Sequence, residues 1–397
     1  MNYADRWLLP DGVEEILPSQ AMAVENTRRR LLNVFTTWGY ELVIPPMVEF
    51  TESLLIGVGN DLDLLTLKVT DQLSGRTMGI RSDITPQIAR MDAHSFSRPS
   101  NSRLCYAGHV VHAKPKTPLA TRTPIQVGVE LFGEAGLEAD IEVICLLLES
   151  LVVTEVSEPT LDLGHVGIYR ALAEVAGLSK AQEAAFFELL QIKAMSDIQA
   201  WVAANVDDGD IARWLLALPS LSGDASILAK AQEQLADAPA EVLAAIDELS
   251  AVAALIAERY PQVNAYYDLS ELRGYHYHTG IVFAAFSDGF GDSIANGGRY
   301  DHIGEVFGRA RAATGFAINL TALMSQLPHF EKTKGIYAPA SEDSQQWQAI
   351  RLLREQGETV VCGLSHLPPE KDIPCDRQLV LDNGQYHVKP FDYASAD

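Results

Sequence analysis

The chain has 397 residues, 47% of them hydrophobic, enough to bury two or three cores, which points to a soluble globular protein and excludes a disordered one. Its 53 acidic residues against 30 basic ones leave a net charge of −23, a field that repels polyanions, so a nucleic-acid partner would need a local basic patch. The opening MNYADRWLLPDG places Asp5 and Arg6 ahead of any apolar run and builds neither a signal peptide nor a membrane span, so a cytoplasmic location is expected.

Residues 19–38 carry apolar groups at helical spacing after Ser19, read as an N-cap, and end at Gly39, which predicts a first amphipathic helix. The following YELVIPPMVEF mixes β-formers with Pro45 and Pro46, a pattern for an edge or interface strand broken by a bend. Leu64 to Ile80 reads as two strands around a polar DQLSGR turn. In SDITPQIARMDAH, Thr85 is placed as an N-cap with Pro86 at the first helical position, where its missing N–H costs nothing. RLCYAGHVVH and TPIQVGVELFG alternate as strands, joined by the proline-rich loop KPKTPLATRTP.

From about Gly167 to Arg259 the composition shifts to alanine and leucine with helical periodicity, predicting an all-helical insertion. Strand signals return at NAYYDLSELRGYHYHTGIVFAAF, the glycine-rich DGFGDSIANGGRYD follows, and ATGFAINLTALMSQL closes the core. After about Pro328 a small unit is expected: strand KGIYAPA, helix DSQQWQAIRLLREQG, strand ETVVCGL, and a hairpin turning on Asn383-Gly384. The domains are thus a core over 1–327, holding the insertion at about 167–259, and a small α/β domain over 333–397.

Four cysteines, Cys105, Cys145, Cys362 and Cys375, form no CxxC pair, so neither a disulfide framework nor a zinc site is indicated. His109 and His112 lie three apart and His276 and His278 two apart; on a strand the second pair would point one way, yet no cysteine or HExxH helix accompanies either. No metal and no cofactor are expected. The acidic run VDDGD at 206–210 reads as a solvated turn between helices, and NGGRYD has close-approach glycines but no Walker Gly-Lys-Ser/Thr.

Three segments carry convergent chemistry: RSDIT (81–85), QVGVE (126–130) and RGYHYHTG (273–280). Their carboxylates, amide, guanidinium and aromatic hydroxyls suit a small zwitterion, with acids accepting from an ammonium, Arg and Gln binding a carboxylate or ring nitrogen, and tyrosine enclosing an imidazole. Singly, each has a plain structural use: Thr85 as a cap, Glu130 as an arginine's partner, Tyr277 as sheet packing.

Taken in order, LPDGVEEILP, GYELVIPPMVEF, GIRSDITPQIAR, RLCYAGHVVH, RGYHYHTGIVF, GGRYD and ATGFAINLTAL resemble the catalytic core of class II histidyl-tRNA synthetases over roughly the first 327 residues. The resemblance implies an α+β fold, a class II aminoacyl-tRNA synthetase-like antiparallel sheet of six or seven strands flanked by helices, with a helical insertion and a small C-terminal α/β unit. It implies dimerisation through motif 1 (GYELVIPPMVEF) and a histidine site on Asp83, Thr85, Gln126, Glu130 and Tyr277. Arg273 falls at the family's catalytic arginine; Asp83 stands in place of a glutamate and His278 in place of a second tyrosine.

The ATP machinery departs from that family. His112 occupies the motif 2 arginine position, Lys114 replaces its companion glutamate, a residue is missing before Pro115, and Thr321 and Ala322 take the motif 3 glutamate and arginine positions. An alanine cannot clamp a phosphate. With a tail shorter than an anticodon-binding domain, the whole is similar to the synthetase paralogues that serve as regulatory subunits of short-form ATP phosphoribosyltransferase. That similarity implies no catalytic residues here, a short catalytic subunit as partner, L-histidine as feedback effector, and neither nucleic acid nor membrane as ligand. Two rival readings remain: a working synthetase, favoured by Arg273 and GGRYD, and a histidine-sensing module for another partner.

Overall fold

The computed structural model describes residues 8–55, 60–96, 98–117, 120–156, 158–288, 292–324, 326–327, 334–364 and 373–391. Residues 289–291 of the glycine-rich segment, 118–119 of the proline-rich loop and 392–397 of the expected C-terminal domain lie outside them. The chain divides into two compact units, Met1–Pro328 and His329–Asp397.

The first unit opens with α1 (Pro18–Thr37), β1 (Glu41–Leu42), β2 (Val48–Phe50), α2 (Thr51–Leu54), α3 (Asn60–Leu65), β3 (Leu67–Thr70) and β4 (Thr77–Ile80). It continues through α4 (Thr85–Arg90), β5 (Ser102–His109), β6 (Ile125–Phe132), α5 (Leu137–Val153) and β7 (Thr160–His165). A helical stretch follows: α6 (Val166–Val175), α7 (Lys180–Gln191), α8 (Met195–Asn205), α9 (Gly209–Ala217), then the short strand β8 (Ser222–Gly223), α10 (Ser226–Gln234) and α11 (Ala240–Arg259). The unit ends with β9 (Asn264–Asp268), β10 (Ile281–Phe286), β11 (Ala295–Arg299) and β12 (Ala313–Asn319).

Among the described residues nine strands form one sheet in the order β1-β5-β6-β12-β11-β10-β7-β9-β8. The six from β5 to β7 are mutually antiparallel, whereas β1 joins β5 and β9 joins β7 in parallel. Both parallel pairs are closed by long connections, β7 to β9 by the entire helical stretch, as parallel pairing requires. The central β6 is buried along nearly its whole length, as expected for a strand covered on both faces. On one side α1 and α5 supply the cover, α1 through Val24, Leu31 and Phe35 at helical spacing. A second sheet, β2-β4-β3, is antiparallel and leads into α4. No helix among the described residues is long and apolar enough to cross a membrane.

Three local expectations change. The first helix starts at Pro18 rather than after a capping Ser19, because proline takes the first turn and Leu17 occupies the cap position without a side-chain bond. Thr85 lies inside α4 instead of capping it. The RGYHYHTG segment is not strand: β9 ends at Asp268, β10 begins at Ile281, and a turn at Gly274 with φ +66° intervenes. Tyrosine and histidine there imitate a strand pattern, but the left-handed glycine breaks it.

The second unit holds β13 (Gly335–Ala338), α12 (Ser344–Glu355), β14 (Val360–Cys362), β15 (Cys375–Asp382) and β16 (Gln385–Pro390), in the sheet order β14-β13-β15-β16. The β15–β16 hairpin turns on Asn383 and Gly384 at φ +49° and +79°, the pair of positive φ values that a two-residue turn of this hand demands. Ile336, Ile350, Val360 and Leu379 form its core.

Candidate functional site

All seven residues singled out in the sequence line one cavity of about 350 Å³, at the lower end of the range for small-molecule sites. Its floor is the antiparallel centre of the large sheet. Gln126, Gly128 and Glu130 alternate onto one face of β6, and Glu130 pairs across to Gly315 of β12. A Cβ on Gly315 would run into the Glu130 carboxylate, so glycine is what leaves room for an acid there.

Glu130 is 1% exposed and surrounded by hydroxyls. Thr85 Oγ1 donates to its Oε1 at 2.7 Å and Tyr106 Oη at 3.2 Å, while Tyr300 Oη donates to Oε2. Burial pushes the Glu130 carboxyl up to about 8, outweighing those three bonds, and Asp83 nearby pushes the same way. Burial, with Glu130 beside them, also raises both tyrosines well above their ordinary value. Without a ligand the cluster therefore keeps that proton at neutral pH; with no cation among its bonded partners in the described residues, an incoming ammonium would favour the ionised carboxylate and pair with it.

Around it, Asp83 Oδ1 accepts from the Thr85 N–H at 3.0 Å, an Asx-type bond that performs the capping expected of Thr85 and frees the threonine hydroxyl for Glu130. Gln126 Oε1 accepts from the Ile84 N–H at 3.1 Å, tying the sheet to the same segment. Across the cavity Arg273 donates to Asn296 Oδ1 at 3.3 Å and to Glu271 Oε2 at 3.4 Å, its guanidinium lying 5.3 Å from the Phe286 ring centre. Tyr277 is half exposed at the mouth. His278 is buried, with Nδ1 3.0 Å from the Arg299 carbonyl, so that nitrogen carries the proton; burial holds the ring down to about 4 and keeps it neutral.

The two histidines expected to share a strand face part company. His276 packs against Phe187, 5.7 Å between ring centres, while His278 turns to the cavity. No group of three metal-binding side chains is found among the described residues.

Two of the positions that depart from the synthetase pattern, His112 and Thr321, are put to structural use. His112 is buried with Nε2 3.2 Å from the Ser82 carbonyl, and burial, with Lys116 nearby, lowers its pKa so that it offers no positive charge. Thr321 Oγ1 accepts from the Ile125 N–H at 2.9 Å, joining the end of β12 to the start of β6. Lys116 and Arg273 are the lysine and arginine among the lining residues. Sequence reasoning had not singled out Lys116, Tyr106, Tyr300 or Asn296; Tyr300 was within reach, because it lies in the GGRYD segment read for its glycines.

Against known proteins, the model of the family described as histidyl-tRNA synthetase matches residues 12–323, and that of the ATP phosphoribosyltransferase subunit HisZ C-terminal domain matches residues 333–389. A protein of Cellvibrio japonicus named ATP phosphoribosyltransferase regulatory subunit is 59% identical over 392 residues, covering 98% of both chains. The chain belongs to the family of ATP phosphoribosyltransferase regulatory subunits. A second member, from Saccharophagus degradans, is 57% identical over 98% of this chain and 100% of its own. Among solved structures, an ATP phosphoribosyltransferase regulatory subunit/histidyl-tRNA synthetase from Bacillus halodurans superposes with a TM-score of 0.79 at 27% identity, covering 90% of this chain and 92% of that one. The class II synthetase-like fold expected from the sequence is the fold observed, and the family's role is regulatory.

Proposed function

We propose that the cavity binds free L-histidine and that its occupancy sets the activity of a short catalytic ATP phosphoribosyltransferase subunit assembled with this chain. The supporting observation is the buried Glu130, held by Thr85, Tyr106 and Tyr300 with Asp83 beside it. That centre asks for an ammonium, and Arg273 across the cavity asks for a carboxylate. Tyr277 and neutral His278 supply the aromatic wall against which an imidazole packs. Phosphate chemistry finds poor support, because His112 is neutral and Ala322 has no side chain to clamp with.

Catalysis belongs to the partner, which joins ATP to phosphoribosyl pyrophosphate and releases pyrophosphate. Self-association through the motif 1 segment is part of the same reading, supported by the exposed apolar run of Leu42, Ile44, Met47 and Val48. Net charge of −23 argues against nucleic acid as a ligand. We place the assembly in the cytoplasm, with the ATP its partner consumes. Feedback requires only that histidine bind two assembly states unequally, by about 1–3 kcal/mol.

The test is titration calorimetry of the whole chain with L-histidine, beside Asp83→Ala. Saturable binding that Asp83→Ala weakens at least tenfold, about 1.4 kcal/mol, is the expected result. Equal affinity in both proteins would remove the site assignment, and no binding to the unaltered chain would remove the ligand.

A further inference from the structure

The turn at residues 274–278 faces two ways. The Tyr277 and His278 N–H groups both donate to the Gly274 carbonyl at 2.9 Å, closing a single loop that presents Tyr277 and His278 to the cavity. Its other two side chains face the helical insertion. Tyr275 is buried 5.3 Å from the Tyr169 ring of α6 and 5.5 Å from the Phe187 ring of α7, and its hydroxyl donates to Glu183 of α7.

Arg170 of α6 joins these faces. Its Nη2 donates to the Tyr275 carbonyl at 3.1 Å and to the His278 carbonyl at 2.9 Å, and its guanidinium lies 5.1 Å from the centre of the Tyr275 ring. One guanidinium nitrogen therefore ties together two carbonyls of the turn, one ahead of the cavity-facing pair and one at its end. A further tie precedes the turn: Lys193, just past α7, pairs with Asp268 at 2.7 Å, and Asp268 in turn accepts from the Ser270 N–H and hydroxyl.

We propose that Arg170 is a positioning residue for the ligand cavity, and that through it the helical insertion, not only the sheet, registers whether Tyr277 and His278 hold a ligand. The coupling half of this rests on the reading of the cavity as a histidine site; the positioning half does not. No residue of α6 or α7 is among those lining the cavity, so the insertion acts through the turn alone. A ligand that moves the turn moves two carbonyls that α6 holds and a hydroxyl that α7 holds, so a partner docked on the insertion would feel the change.

Hydrogen–deuterium exchange of the full chain, unaltered and as Arg170→Met and Arg170→Lys, with and without L-histidine, tests both halves. Without ligand, Arg170→Met is expected to speed exchange at 274–280 at least tenfold, as the loss of two hydrogen bonds to charged nitrogen implies, with β6 unaffected and Arg170→Lys intermediate. With histidine, the unaltered chain is expected to gain protection at 274–280 and across 166–191, and Arg170→Met to keep the first and lose the part of the second that falls on α6. Unchanged exchange at 274–280 in unliganded Arg170→Met overturns the positioning role. Histidine protection confined to 274–280 in the unaltered chain overturns the coupling. If histidine protects nothing, the histidine reading and the coupling fall together, while faster exchange in unliganded Arg170→Met still upholds the positioning role. A global rise in exchange in both variants would mark Arg170 as a general fold residue and also overturn the proposal.

Discussion

Replacing Glu130 by glutamine should remove a specific pH dependence of stability. The Glu130 carboxyl goes from 4.5 in the unfolded chain to about 8 when folded, raised chiefly by burial. The folded state therefore holds this proton more tightly than the unfolded one. Its contribution to stability is complete below pH 4.5 and is lost as pH climbs through 8, at about 1.4 kcal/mol per pH unit and roughly 5 kcal/mol in all. Glutamine fills the same space beside Thr85, Tyr106 and Tyr300 and cannot ionise. Urea unfolding of both proteins from pH 5 to 8.5, compared as a difference at each pH, cancels other titrations common to the two, His278 among them. The stability of the unaltered chain relative to Glu130→Gln should fall by several kcal/mol across that range. A flat difference would refute the reasoning, showing that the three hydroxyls stabilise the carboxylate as well as water does.

Three further substitutions separate binding from folding. Tyr277→Ala, at a half-exposed position, should leave stability within about 0.5 kcal/mol, yet weaken histidine binding by about tenfold through loss of the aromatic wall, as calorimetry would report. Gly315→Ala drives a methyl into the Glu130 carboxylate and the Val129 carbonyl and should cost about 1–3 kcal/mol in urea unfolding, with histidine binding weakened alongside. Asp140→Ala strips a buried pair with Arg299, whose Nη2 lies 2.6 Å away, and should cost about 3 kcal/mol or more in the same measurement.

Legibility in the sequence followed the range of the forces involved. The Asn383-Gly384 hairpin and the Pro86 helix start are written in two or three adjacent residues, and the central strands in local alternation. The seven site residues were grouped from three separated segments, and the chain brings them to one cavity because β6, α4 and the 273–280 turn meet over the same sheet face. Tyr106 and Tyr300 escaped notice since a tyrosine in or just past a strand looks like packing until its hydroxyl partner is known, and that partner lies 24 and 170 residues away respectively. Arg170 is 105 and 108 residues from the two carbonyls it holds, with no spacing to betray it. The turn at Gly274 was misread as strand because Tyr and His suit a pleated surface and a lone glycine does not announce its φ. The two-residue edge strand β8 was equally hidden, and so were the parallel pairings of β1 and β9, whose segments read as strand but whose partners are set by tertiary position.

The most direct measurement is the rate at which a short catalytic subunit from the same source forms phosphoribosyl-ATP, alone, with this chain, and with this chain plus L-histidine. A regulatory subunit with a live histidine cavity predicts a rate increase on adding the chain, reversed by histidine and no longer reversed when the chain carries Asp83→Ala. A rate that this chain leaves unchanged, or an increase that histidine does not touch, would contradict it.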